Sequence, residues 1–346
     1  MNDKIILEAF KRNDKIIFQD FMRNNWSPNH LFAKESTVFN WLYRGKESYN
    51  FFVAKKEKNI IGVHGFIPLS HFDSNLKNNQ IFLSFWAAEK NQGVGIGLKL
   101  HKKLISEVKP KFIGSLGINK KVIPFHKWQG FKVGEMVHSV AISPFINDFI
   151  IAKIPKNFKI ILGEIDKGIS YKLIGLNELN EINNRHLFSE YWPTKSIKYI
   201  VNRYVNNPFY SYKIYKLYKK KKLLGLFVIR KISKNDQNVL RIVDYYGSNE
   251  SFGLSYVMFK DLLKKHNAEY IDMYSFGIPI NTLESAGLIT RDRQKGLVIP
   301  NYFEPFVKKN IDITYAYKAE NSHHPVRLFK GDGDQERPSQ IQFVNI

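Results

Sequence analysis

From Gln92 to Gly97 the chain reads Gln-Gly-Val-Gly-Ile-Gly, and Leu98, Leu100, Leu104 and Ile105 follow at helical spacing with lysines between them. A glycine turn opening a helix leaves unpaired backbone N–H groups where the helix dipole is positive, and such a turn suits a pyrophosphate. Two other phosphate motifs are missing. The G-x-G-x-x-G of dinucleotide folds is absent, with no acidic residue at a strand end about 20 positions on, and the turn lacks the Gly-Lys-Ser/Thr ending of a P-loop. The same glycines would also serve simply to let a strand and a helix pack closely, so alone they leave the two roles open.

The flanking elements give the turn its setting. "IFLSFWAA" before it is a short apolar run rich in aromatics and reads as a strand, and the lysine-studded segment behind it reads as an amphipathic helix. Upstream, "KIILEAFKRND" and "HLFAKESTVFNWLYRG" read as mainly helical, and "YNFFVAKKEKNIIGVHGFIPL" as two strands around a charged turn. Downstream, "KFIGSLGI" supplies a strand and "NKKVIPFHKWQGF" a helix ending near Gly130.

A length of 346 residues with 44% hydrophobic residues suits two domains with real cores. No apolar run reaches the ~20 residues of a membrane span, and the N-terminal stretch lacks the apolar core of a secretory signal. The expectation is a cytoplasmic protein with no membrane partner. Without cysteine there is no disulfide, no thiolate catalysis and no Cys-type zinc site. A net charge of +22 attracts phosphates, although abundant Lys, Asn and Ile are also what an AT-rich coding sequence imposes, and Lys219 to Lys222 read as a solvated hairpin turn.

The second half echoes the first. "KKKKLLGLFVIRKI" parallels "KEKNIIGVHGFIPL", and Ser275-Phe276-Gly277-Ile278 repeats Ser115-Leu116-Gly117-Ile118. Between them "VLRIVDYYG" reads as a strand and "LSYVMFKDLLKKH" as a helix. Here "GSNESFG" replaces the glycine turn, so the second copy is expected to bind no pyrophosphate. The first unit should close with "VHSVAI", giving domains 1–155 and 156–320 and a polar tail 321–346. Asp332, Asp334 and Glu336 in that tail lack the ligand spacing of a calcium loop, and no metal is expected.

Gln92-x-x-Gly95-x-Gly97 between a strand and an amphipathic helix resembles the acyl-CoA motif of the GNAT N-acyltransferase superfamily. Asn119, Val122, Phe125, His126, Gly130 and Phe131 fall at the spacings of that family's next helical segment. The resemblance implies an α/β (α+β) fold of two tandem GNAT-like domains, each a mixed, mainly antiparallel central sheet flanked by helices. It implies that Gln92, Gly93, Val94, Gly95, Ile96 and Gly97 wrap the pyrophosphate of acetyl-CoA or another short acyl-CoA. Phe85, Trp86 and Ala87 would line the pantetheine arm, and Asn119 would also touch it. His126 stands where the family commonly has a tyrosine that protonates the leaving thiolate, and an imidazolium can do this.

An acid, a base and an oxyanion site make up the remaining chemistry. His64, Glu89 and Asp244 are candidate bases, with His64 favoured because a neutral imidazole needs no perturbed pKa. Trp26, His30, Trp41 and Tyr43, with Arg203, Arg241 and Asp244 of the second unit, are candidate acceptor contacts. The tail "FKGDGDQERP" is similar to endings of tandem proteins from bacterial surface-polysaccharide and nonulosonic-acid clusters. The expectation is therefore an N-acyltransferase acting on an amino sugar, one carried on a nucleotide, whose diphosphate would meet basic side chains. A Fem-like aminoacyl-transferase drawing on charged tRNA is the alternative, since it would also use the positive charge. A non-enzymatic nucleic-acid binder comes last, since no helix-turn-helix, zinc finger or RNP signature is present, and no stable nucleic-acid partner is expected.

Overall fold

The computed structural model describes residues 4–35, 37–76, 79–90, 95–183, 186–320 and 324–340. The chain forms two compact units, one of Met1–Lys132, Ala316–Glu320 and Gly333–Ile346, the other of Val133–Tyr315 and Asn321–Asp332. In chain order the first half contains β1 (Ile5–Lys11), α1 (Lys15–Asn25), α2 (Leu31–Lys34), α3 (Thr37–Tyr43), β2 (Ser48–Lys56), β3 (Asn59–Pro68) and β4 (Gln80–Ala88). Then come α4 (Ile96–Val108), β5 (Phe112–Leu116), α5 (Ile123–Trp128), β6 (Lys132–Glu135) and β7 (Val137–Ile142). The second half contributes β8 (Ile169–Ile174), β9 (Tyr212–Lys219), β10 (Lys222–Lys234), β11 (Gln237–Gly247), β12 (Ala268–Phe276), β13 (Ile289–Thr290), β14 (Thr314–Ala319) and β15 (Leu328–Phe329).

In the first unit β1 to β4 pair antiparallel in sequence order, and β4 then pairs parallel with β5. The stretch expected as the first helix is largely β1. Its backbone pairs with β2, Ile5 opposite Lys56 and Ala9 opposite Phe52, and its Phe10 is fully buried. A sheet edge more than 40 residues away captures the segment, and helical spacing over so few residues does not resist it. Under this sheet the helices bury an aromatic cluster in which Phe18 meets Phe39 at 4.9 Å and Tyr43 meets Phe51 at 4.6 Å between ring centroids.

The second unit repeats the order: β8 to β11 pair antiparallel, and β11 pairs parallel with β12. Beyond β12 lies β7, antiparallel, with Tyr270 opposite Ile142 and Ser275 opposite Val137, and β13 follows on its far side. β7 therefore belongs to the second sheet, so the division falls at Lys132/Val133 and not near Pro155. The slot after β5 is taken by β14, whose residues from Ala316 on belong to the first unit. Nor do residues 321–340 form a separate tail: the part up to Asp332 belongs to the second unit and the part from Gly333 to the first.

Both sheets part in the same place. Parallel pairing ends at Leu83/Ser115 in one and at Ile242/Met273 in the other. In the second unit the chain itself fills the parting. β15 pairs with β12, Ser275 opposite Phe329, while the Gly331 N–H donates to the Val243 carbonyl (2.9 Å) and Arg327 to the Gly247 carbonyl (2.8 Å). "GSNESFG" there is a helical turn from Asn249 to Gly253, capped by Ser248.

Helix α4 is held against β3 at Gly62, where an added Cβ would sit 2.8 Å from Ile96 and 3.2 Å from Leu100. Gly62→Val must push the start of α4 off the sheet, at a cost of about 1–3 kcal/mol for overpacking. A chemical-denaturation midpoint equal to that of the wild type would show that α4 yields at no cost.

Candidate active site

The parting of β4 and β5 is open in the first unit. A cavity of about 210 Å³ lies there, lined by His64 of β3, Leu83 to Trp86 of β4, Ser115 to Asn119, Val122 and His126, with Trp26 and, from the C-terminal segment, Asp334, Gln335 and Arg337. Its shape comes from a bulge. His64 pairs with Trp86 but Phe66 pairs with Leu83, so Ser84 and Phe85 together oppose one residue of β3 and the strand is re-aimed. Across the gap, Gln335 Nε2 donates to the Leu116 carbonyl at 3.2 Å and ties the C-terminal segment to the end of β5.

Four buried polar atoms of the lining have no hydrogen-bond partner: His64 Nδ1, Ser84 Oγ, His126 Nδ1 and Arg337 Nε. His64 is wholly buried, stacks on Trp86 at 4.8 Å, and places Nε2 3.2 Å from Nδ1 of His101 on α4. Burial holds its pKa well below the usual histidine range, with smaller contributions from His101 and His126. His126 is likewise lowered to about 4 by burial, and His101 to about 4 by burial and then by His126. All three imidazoles are therefore neutral near pH 7. His126 must therefore first take up a proton before it can give one away.

Of the residues expected around the pyrophosphate, Gln92, Gly93 and Val94 lie outside the described residues. Gly95 caps α4 with φ +99°, a left-handed conformation that glycine adopts freely, and Ile96 is buried at the first turn, followed by Gly97. Phe85 and Trp86 line the cavity, as does Asn119, whose side chain accepts from the Lys121 N–H at 3.0 Å; Ala87 pairs with Val63 and is not part of the lining. Opened strand edges, unpartnered polar atoms and a glycine-capped helix start together fit an acyl-CoA arm.

Glu89 lines a different, polar groove with Asp20, Asn24 and Glu57, next to Asn25 at 3.4 Å. Trp26 is half-exposed at the cavity, 4.4 Å from the Phe85 ring. His30 is buried beside it, accepts from the Phe32 N–H, and has its pKa lowered to about 3 by burial and then by Arg337. Trp41 packs on Phe72, and Tyr43 sits in the aromatic core. Arg203, Arg241 and Asp244 are interior groups of the second unit. Arg241 grips Asp272 with two hydrogen bonds (2.9 and 2.6 Å), and Arg203 donates to the Gly331 carbonyl. Asp244 accepts from Lys195, Tyr204, Tyr246 and its neighbour's N–H, which leaves no free carboxylate for a base. Ser84, His101, Asp334, Gln335 and Arg337 are the site residues that sequence reasoning missed. His101 was hidden as one more polar position on a lysine-rich helix, and the last three in a segment read as turns.

The depressed histidines make stability depend on pH. An unfolded histidine titrates near about 6.5, so between about pH 6.5 and 4 the unfolded chain binds more protons than the folded one. The stability that these neutral imidazoles contribute is complete above that window and lost as the pH falls through it. The melting temperature should drop between pH 7.5 and 5, and the slope should be shallower in His126→Phe; a flat profile would mean that the imidazoles are hydrated.

Residues 16–131 match the acetyltransferase (GNAT) family. Among solved structures the chain resembles a Pyrococcus horikoshii protein assigned as an acetyltransferase (9% identity, TM-score 0.51, covering 94% of this chain and 92% of that one). It also resembles a GCN5-related N-acetyltransferase from Anabaena variabilis (14%, TM-score 0.52, covering 91% and 72%) and an Enterococcus faecalis protein assigned as an N-acyltransferase (9%, TM-score 0.52, covering 90% and 72%). At such identities the likeness is one of fold. No curated protein matches the chain in sequence. The match of residues 16–131 to the acetyltransferase (GNAT) family supports an enzyme of the acyltransferase type.

Proposed function

We propose that the first unit transfers a short acyl group, most simply acetyl, from CoA to the primary amine of an amino sugar carried on a nucleotide, in the making of a surface glycan. One observation carries this reading: His64 Nδ1, Ser84 Oγ and His126 Nδ1 are buried without partners around a single cavity. Such atoms are costly to bury unless a ligand meets them, and an amine brings N–H groups that can. The cavity of about 210 Å³ is below the ~300–1,000 Å³ of sites for drug-sized ligands, which favours a short acyl group over a long chain. The charge of +22 supports a phosphate-bearing acceptor.

Bound acyl-CoA supplies an activated thioester carbonyl. Phe85 and Trp86 would flank the arm, and the start of α4 at Gly95 would face the pyrophosphate. The exposed backbone of β4 past the bulge offers N–H groups to the carbonyl oxygen. As the C–N bond forms and the C–S bond breaks, the amine loses one proton and the thiolate gains one. His64 accepts the first and later releases it to solvent, while His126 takes one proton from solvent and gives it to the thiolate, so the cycle has no net proton uptake.

Calorimetric titration with acetyl-CoA, CoA and bulk tRNA tests the donor. Acetyl-CoA should bind once per chain, because residues 327–331 fill the parting of the second unit. Gly95→Val, strained at φ +99°, should weaken binding at least ~10-fold. Two sites per chain, an unaffected Gly95→Val or binding of tRNA alone would each sink the reading. Assays with free and UDP-linked amino sugars then identify the acceptor. With that acceptor His126→Phe should lower kcat about 10²-fold with acetyl-CoA affinity unchanged, and a wild-type kcat would leave His126 a packing residue.

A further inference from the structure

The proton that leaves the amine needs somewhere to go. His64 is wholly buried and His101 nearly so: the titratable groups that act on His64 are His101 from α4 and His126 from α5, while β4 presents Trp86 to its face. His64 lines the cavity, and of its two ring nitrogens Nε2 lies 3.2 Å from His101 Nδ1 while Nδ1 is buried without a partner.

Only one hydrogen can sit between Nε2 and Nδ1 in the neutral pair. If His101 donated it, His64 would carry its own hydrogen on Nδ1, a buried donor with no acceptor. If His64 donates it, Nδ1 is a bare lone pair, and unsatisfied acceptors are tolerated far more often than orphaned N–H groups. We infer that His101 is a positioning residue which holds His64 in the Nε2–H tautomer, so that the Nδ1 lone pair is turned to the cavity as the base that deprotonates the acceptor.

The inference rests on the acyl-transfer reading for its chemistry. When the amine attacks, its proton goes to Nδ1 of His64, the Nε2 proton passes to Nδ1 of His101, and the positive charge comes to rest on the helix side of the pair, one ring away from the reacting carbon. The pair thus does for His64 what a carboxylate does for a catalytic histidine elsewhere, fixing tautomer and ring orientation, but without a permanent negative charge. Trp86 stacked on the ring at 4.8 Å keeps it from turning.

Long-range proton–nitrogen correlation spectra of the full chain, labelled with ¹⁵N-histidine at pH 7.5, read the tautomer directly; His64 is identified by the signals lost in His64→Gln. The wild type should show His64 protonated at Nε2 and bare at Nδ1. His101→Asn, whose side-chain oxygen can replace Nδ1 as acceptor, should keep that tautomer and most of kcat. His101→Phe, which keeps the bulk but not the acceptor, should populate the Nδ1–H form and lower kcat about 10-fold or more, with acetyl-CoA affinity unchanged. A wild-type His64 protonated at Nδ1 would overturn the inference, even if the Phe variant failed to fold. So would a folded His101→Phe protein with the original tautomer and rate. If the tautomer is as stated and no amine is acylated, the acceptor reading fails while the role of His101 in setting the tautomer stands.

Discussion

Two parallel strands that stop pairing govern the first unit. Up to Leu83 and Ser115, β4 and β5 hydrogen-bond to each other; past that point each carries backbone groups that the other no longer reaches. Buried backbone polar groups need partners, so a parting inside a sheet has to be filled by something with matching donors and acceptors, be it side chains, water or a ligand. The bulge at Ser84–Phe85 widens it, the Gln335 amide fills part of it through the Leu116 carbonyl, and what remains is the cavity. Helix α4 is positioned by the same geometry: pressed on β3 at Gly62, it begins at the end of β4 and brings His101 up to His64.

The second unit shows the other solution to the same constraint. Its strands part after Ile242 and Met273, and the chain returns as β15 and Gly331 to meet the freed groups. The returning segment is locked by charge, since Lys195 pairs with both Asp244 and Asp332 at 2.8 Å in a buried cluster. A buried lysine between two carboxylates stays charged because their attraction outweighs its desolvation, and its pKa is raised accordingly. Of the residues that looked most like acceptor contacts in the second half, Asp244 and Arg203 are committed to this closure and Arg241 to Asp272. A polar residue in a strand next to a glycine looks the same in sequence whether it faces a ligand or its own chain.

That ambiguity marks what could be read in advance. Periodicity located β2 to β5, α4 and α5, because each is long enough for its spacing to register and each pairs or packs with near neighbours. The repeated Ser-x-Gly-Ile and Ile/Leu-Gly strands marked the strand order that both sheets share. Pairing over long sequence distances did not show: β7 reads as the natural end of the first unit, and only the contact between Tyr270 and Ile142 assigns it to the second sheet. β1 read as a helix for the same reason, its partner being more than 40 residues away. Within the site, His64 and His126 stood out as lone histidines, whereas His101 acquires meaning only from a nitrogen 3.2 Å away on another element.

The histidines connect fold and chemistry through a single cost. Burying His64, His101 and His126 lowers their pKa values, so none of the three is held as an imidazolium near neutral pH. On the proposed reading the site gains, in His64, a base that is unprotonated at neutral pH. Acyl transfer from a thioester to an amine suits that bargain, because it generates the proton that it later consumes. On that reading, a site that moves one proton from nitrogen to sulfur needs no charge on its imidazoles at rest, with the 53 lysines and arginines of the chain left to attract phosphate.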